Sequence, residues 1–263
     1  MDLEVEQLGE GEPVVMIQTA LTVDELRPIA HRTALGGFRV IHYHRRGYAG
    51  SGPALRPASV ATEVADCRAL LAALDVETAH VVGASYSAAI ALTLAATAPE
   101  MVRTLTVLEP PPWGVPSAQD FRAASARLAR TARDLGSPVA LDELMTMLAG
   151  PDWRRDCERD LPGSVAAMER DAATFFESDL PALLAWSFDE ANAAAIACPV
   201  LSVGGSDSDT WFADMRVRIL DLLPQAEEST VRGAGHLLAA THPDESAALV
   251  VDFLRRHGQP GIA

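Results

Sequence analysis

Residues 78–92 read TAHVVGASYSAAIAL. An apolar, β-rich run ending at Gly83 passes within two residues into an Ala-rich helical pattern. A serine on such a sharp strand-to-helix turn is held in a strained backbone geometry and presents its hydroxyl above the sheet. Here that serine is Ser85. The turn accepts only small residues two positions before and after it, and Gly83 and Ser87 stand there. Ala84, Ala88 and Ala89 let the helix lie close to the strand. As a string, GxSxS is a weak signal that would also suit a serine capping a helix. Its weight comes from the surrounding chain.

Outward from that turn, short β-rich runs alternate with helical patterns, the signature of a parallel sheet with crossover helices. Strands are expected near 13–18, 38–44, 78–83, 102–108, 199–204 and 226–231. Residues 2–8 alternate apolar and polar, as an edge strand with one wet face does. Helices are expected near 22–36, 59–74, 86–98, 210–222 and 243–257. After Leu108 the alternation breaks at Glu109-Pro110-Pro111-Pro112-Trp113-Gly114, and residues 117–195 read as several helices without a strand. The expected organisation is an α/β core from residues 1–112 and 196–263, with a helical cap at 113–195.

Downstream of Ser85, one of the seven histidines follows the last strand in a glycine-containing loop. It is His236, in Gly233-Ala234-Gly235-His236. A serine hydroxyl is a weak nucleophile until a neutral imidazole takes its proton, so His236 is the expected general base. His80 lies within a strand and reads as a packed core residue. His42 and His44 flank a strand end, where they could line a loop or pocket.

Composition narrows the function class. The 263 residues are 49% hydrophobic, enough for a large core, and the formal net charge is −15. An acidic surface repels phosphate backbones and anionic lipid, so neither nucleic acid nor membrane is the expected partner. Cys67, Cys157 and Cys198 are odd in number and lack a CxxC pair, which suggests reduced thiols, no structural metal and a cytoplasmic protein. No signal peptide, dinucleotide fingerprint, Walker loop or HExxH motif is visible, and no cofactor is expected. Oligomeric state is not readable.

The order of elements, Tyr43-His44-Arg45-Arg46-Gly47-Tyr48 after a strand, the turn GASYS and the loop GAGH together resemble the α/β-hydrolase superfamily over nearly the whole chain. The resemblance implies a third catalytic residue, an acid that orients the imidazole. Its usual place follows the strand PVLSVG, where this chain has Gly204-Gly205-Ser206-Asp207-Ser208-Asp209. By count the acid position holds Ser208, and Asp207 or Asp209 would serve only with a one-residue shift. Glu109, at the preceding strand end, is the favoured acid. Certain haloalkane dehalogenases and the zearalenone-type lactonases take theirs from this place, and the triad layout resembles those lactonases most. The oxyanion donors implied are the amides of Tyr86, directly after the nucleophile, and Ala20, in the loop Gln18-Thr19-Ala20 where the family commonly has HG. Arg45 and Arg46 are expected to tie their loop by hydrogen bonds.

The cap supplies pocket candidates: Trp113, Trp186 and Phe188 foremost, with Phe175, Phe176, Met145 and Met147. The expected activity is hydrolysis of an ester or lactone of a small, largely apolar molecule through an acyl-serine intermediate. The same fold also supports C–C hydrolysis, acyl transfer or a cyclase or lyase step in secondary metabolism, and a non-catalytic ligand-binding member is a further alternative.

Overall fold

The computed structural model describes residues 2–258. Seven strands, β1 (Val5–Leu8), β2 (Glu12–Ile17), β3 (Phe38–Tyr43), β4 (Ala79–Ala84), β5 (Val102–Leu108), β6 (Val200–Gly205) and β7 (Ala226–Val231), form one sheet in the order β1-β3-β2-β4-β5-β6-β7. Only β1 pairs antiparallel, at the edge beside β3. This is the mostly parallel sheet that the alternation of runs implies.

Helices α1 (Arg27–Leu35), α2 (Val60–Ala73) and α3 (Tyr86–Thr97) cross between the early strands. Between β5 and β6 come α4 (Ala118–Leu135), α5 (Ser137–Ala149), α6 (Trp153–Asp160), α7 (Ser164–Thr174), a π-helical turn (Phe175–Asp179), α8 (Leu180–Ala185) and α9 (Glu190–Ala194). Helices α10 (Thr210–Leu222), α11 (Leu238–Thr241) and α12 (Pro243–His257) complete the chain. The first helix begins later than its periodicity suggests. Residues 22–26 form turns instead, and Pro28, which suits a first helical turn, marks the start.

Strand side chains alternate between two cores, the period that a sheet covered on both faces requires. Val15, Ile17, Val81, Leu105 and Val107 face α2, α3 and α10. Val14, Met16, Val82, Leu108 and Val203 face α1 and α12. The helices between β5 and β6 have their own apolar cluster, built on Trp153, Met168, Leu141 and Phe176, which meets the sheet domain at Leu21.

Strand order reverses between β2 and β4. Chain segments leaving these two strands diverge, and a crevice opens beyond their carboxyl ends. Ile17 lies opposite Gly83, and Ala84 opposite Leu108, so the residues following β2, β4 and β5 emerge on one edge. Ser85, Glu109 and the loop containing Ala20 therefore converge there. Among the described residues no helix is long and apolar enough to cross a membrane.

Candidate active site

The β4–α3 turn is as tight as its sequence implies. Ser85 has φ 47° and ψ −119°, a region that costs a residue with a side chain about 1–3 kcal/mol. A Cβ on Gly83 would lie 2.4 Å from the Ser87 carbonyl oxygen, so only glycine lets the helix turn back this closely. Ser87 is fitted to the turn: its hydroxyl accepts from the Ala84 amide at 2.9 Å and donates to the Ala84 carbonyl at 3.0 Å. The Ser85 amide donates to the Leu108 carbonyl at 2.9 Å.

His236 Nε2 lies 3.1 Å from Ser85 Oγ. The imidazole stacks on Phe212 of α10, with centroids 4.0 Å apart and planes 18° from parallel. On its far side, Nδ1 is 3.5 Å from Glu109 Oε2. That is longer than a formed hydrogen bond, and such contacts commonly tighten when substrate binds. Neither atom has a hydrogen-bond partner among the described residues. Glu109 is 1% exposed, and its other oxygen accepts from the Gly205 amide at 2.8 Å.

The other two acids are placed differently. Asp209 caps α10, accepting from the Trp211 amide at 3.1 Å. Asp207 is exposed and accepts from the Ser206 hydroxyl, while its amide donates to the Ala234 carbonyl. Neither carboxylate pairs with His236.

Tyr86 is the first residue of α3, so its amide belongs to the first-turn donors that a helix leaves free. Facing it, Thr19 anchors the β2 loop by donating its hydroxyl to the Ala84 carbonyl at 2.8 Å. The Leu21 amide is directed to the Tyr48 hydroxyl, and the Thr22 amide turns back to the Ala20 carbonyl. Ala20 and Ser85 line the same cavity wall.

Arg45 holds these pieces together. Fully buried, it donates to the Gln18 carbonyl, to Glu63 at 2.8 Å and to Asp179 at 2.5 Å, and its guanidinium lies 4.6 Å from the Tyr86 ring centroid. The Tyr48 hydroxyl donates to Asp179 at 2.6 Å. Arg46 pairs with Asp66. Both arginines are thus committed to structure rather than to the cavity. Removing one partner of a buried, bonded ion pair leaves the other charge uncompensated. Asp179→Ala is therefore expected to cost about 3–5 kcal/mol in a denaturant melt. A loss below about 0.5 kcal/mol, the size of a surface substitution, would show the pair to be dispensable.

A narrow cavity reaches Ser85 and His236. Its walls are mainly Leu128, Leu144, Met145, Met147, Phe175 and Leu180. Of the pocket residues expected from sequence, Met145, Met147 and Phe175 are in place. Trp113, Trp186 and Phe188 are not, which corrects that expectation. They pack on one another with centroids 5.1–5.8 Å apart, joined to the α2–α3 core, and the Trp186 indole N–H donates to Thr93 of α3. His42 and His44 also stand away from this cavity. His42 is buried, which pushes its pKa down to about 4, and His44 bridges Glu4 and Asp24. His80 is a core residue whose Nδ1 lies 2.8 Å from the Thr104 hydroxyl. Phe212 and Glu25, both at the cavity, carry no motif that singles them out in sequence.

A family model described as the alpha/beta hydrolase fold matches residues 22–243. The chain belongs to that family. It is 28% identical over 227 residues, 82% of this chain and 81% of the other, to the Caulobacter sp. (strain K31) protein named "Putative carbamate hydrolase RutD". Among solved structures it resembles a thermophilic esterase from Thermogutta terrifontis, with TM-score 0.82, 19% identity and coverage of 97% and 94% of the two chains. It also resembles the enol-lactonase from Burkholderia xenovorans LB400, with TM-score 0.81, 20% identity and coverage of 96% of each chain. At those identities the two structures speak for the fold alone. The chain is a hydrolase of the α/β fold.

Proposed function

We propose that the protein cleaves an ester or lactone of a small, largely apolar molecule through an acyl-serine intermediate. The observation that carries this reading is the 3.1 Å approach of His236 Nε2 to a Ser85 hydroxyl on a strained turn facing an apolar cavity. The names of the relatives, an esterase, an enol-lactonase and a carbamate hydrolase, agree with acyl chemistry.

Each group has a place in the sequence of steps. Ser85 Oγ attacks the carbonyl carbon as its proton moves to His236 Nε2. The carbonyl oxygen gains charge between the amides of Tyr86 and Ala20, which need no reorganisation to receive it. Glu109, through Nδ1, keeps the imidazole in the tautomer that accepts at Nε2 and stabilises the imidazolium. The C–O bond breaks, and the leaving oxygen takes the proton from His236. Water, deprotonated by the same imidazole, then hydrolyses the acyl-Ser85 ester.

Incubation with a panel of aryl esters and lactones, quenched early and read by intact mass and peptide mapping, should show an acyl adduct on Ser85. A fluorophosphonate should label the same residue. Turnover of the panel with neither adduct at Ser85 would overturn the covalent reading.

A further inference from the structure

Besides Ser85 and His236, the polar side chains of the cavity wall are Thr19, Thr22, Ser125, the Tyr86 phenol and Glu25, and of these only Glu25 is ionisable near neutral pH. Thr19 is committed to the Ala84 carbonyl, and the Thr22 hydroxyl points to Met168 Sδ at 3.8 Å. Glu25 differs from both. It lies in the turns before α1, lines the cavity and is 4% exposed, yet its carboxyl has no hydrogen bond or ion pair among the described residues. A buried polar group without a partner is costly, and folded proteins rarely leave one so. Here the open side of the carboxyl is the substrate's space.

We propose that Glu25 is the polar anchor of the substrate, and that the cavity takes an ester or lactone bearing a hydroxyl set apart from its scissile carbonyl. The proposal rests on Ser85 being the nucleophile in this cavity. Burial pushes the Glu25 carboxyl up to about 7, opposed by the charge of His236. The titratable groups facing it are His236, from the loop after β7, and the Cys157 thiol of α6. In its neutral form the carboxyl has both a donor and an acceptor to offer, and when ionised it still accepts, so a hydroxyl matches either state. An ammonium fits less well, because it would shed its water among Leu128, Leu144, Met145 and Phe175. A site built to bond a hydroxyl also rejects the analogue lacking it, since its own polar group then stays unpaired.

The test compares kcat/KM for 4-nitrophenyl 3-phenylpropionate with its 3- and 4-hydroxyphenyl counterparts and a 4-(aminomethyl)phenyl counterpart. In the wild type, one hydroxyl ester is expected to exceed the parent by about tenfold or more. In Glu25→Leu the ratio should fall to about one. Glu25→Gln, which keeps a neutral donor and acceptor, should retain most of it. Above about pH 7 the wild-type ratio should rise, because the ionised carboxylate accepts a stronger, charge-assisted bond from the hydroxyl, and the Gln variant should stay flat. A wild-type ratio near one for both hydroxyl esters, persistence of the ratio in Glu25→Leu, or preference for the aminomethyl ester would overturn the proposal. If no ester is turned over, the nucleophile reading fails separately. Calorimetric binding of 3-(4-hydroxyphenyl)propan-1-ol against 3-phenylpropan-1-ol then decides, and equal affinities would remove Glu25 from this role.

Discussion

Ser85→Ala is expected to lower kcat by on the order of 10⁵–10⁶ toward any ester the wild type turns over, with the fold kept. The substitution removes one oxygen, the atom proposed to form the covalent bond. Residual catalysis above the rate in water should persist, because the proposed oxyanion donors, the amides of Tyr86 and Ala20, are left in place. The melting temperature should hardly change, since alanine meets the same penalty at φ 47° that serine does. Ser85→Gly should be equally inactive but melt higher, because glycine occupies such a conformation without that strain. These two variants separate chemistry from folding: both lose turnover, and only one relaxes the turn. Near-wild-type turnover by purified, folded Ser85→Ala would rule out the acyl-serine mechanism.

The parts of the site that are legible in the sequence are those fixed by local geometry. Gly83 and Ser87 mark the turn because the backbone there has no room for larger neighbours. Sheet topology then delivers the remaining parts: once β2, β4 and β5 are parallel neighbours, their following residues must share one edge. Contacts set by helix placement are not legible in this way. Phe212 meets the imidazole face because α10 packs beside β6 and β7, and nothing in Thr210-Trp211-Phe212-Ala213 announces it. The aromatic residues mislead for the same reason. Trp113, Trp186 and Phe188 are apolar enough to line a pocket, but apolar character specifies burial without specifying against what. They bury against each other and the core, and the leucines and methionines of α4 and α5 take the cavity wall. Glu25 is the opposite case. In the sequence it is one carboxylate among 36 acidic residues, most of which a solvated surface would hold. What sets it apart is a buried carboxyl on the cavity wall with no partner among the described residues.

Glu109→Gln is expected to reduce kcat by about 10³–10⁴, while Asp207→Asn and Asp209→Asn stay within about tenfold, a 1.4 kcal/mol effect. The difference follows from which hydrogen bonds each side chain makes. Glu109 uses Oε1 to accept from the Gly205 amide at 2.8 Å, and this leaves Oε2 facing His236 Nδ1. Glutamine has the same shape but one acceptor. If that oxygen keeps the Gly205 amide, the NH₂ group confronts Nδ1 and favours the tautomer with its proton on Nε2. That imidazole cannot take the Ser85 proton. If the amide flips, the Gly205 N–H loses its buried partner instead, and the loop before α10 pays for it. Gly204 of β6 leaves space for a glutamate at this strand end, and Gly205 leaves space for the Ala234 backbone. A Cβ on Gly204 would stand 2.7 Å from Glu109 Oε1, and one on Gly205 would stand 2.1 Å from the Ala234 carbonyl oxygen. Asparagine at 209 still caps α10, because its side-chain oxygen accepts as aspartate's does. Asparagine at 207 removes charge only from an exposed position. Rate measurements on the three purified variants, with melting curves to verify folding, decide the matter. Were Asp207→Asn or Asp209→Asn to lose the larger factor while Glu109→Gln kept its rate, the acid would lie after β6, and the 3.5 Å contact at Nδ1 would be structural only.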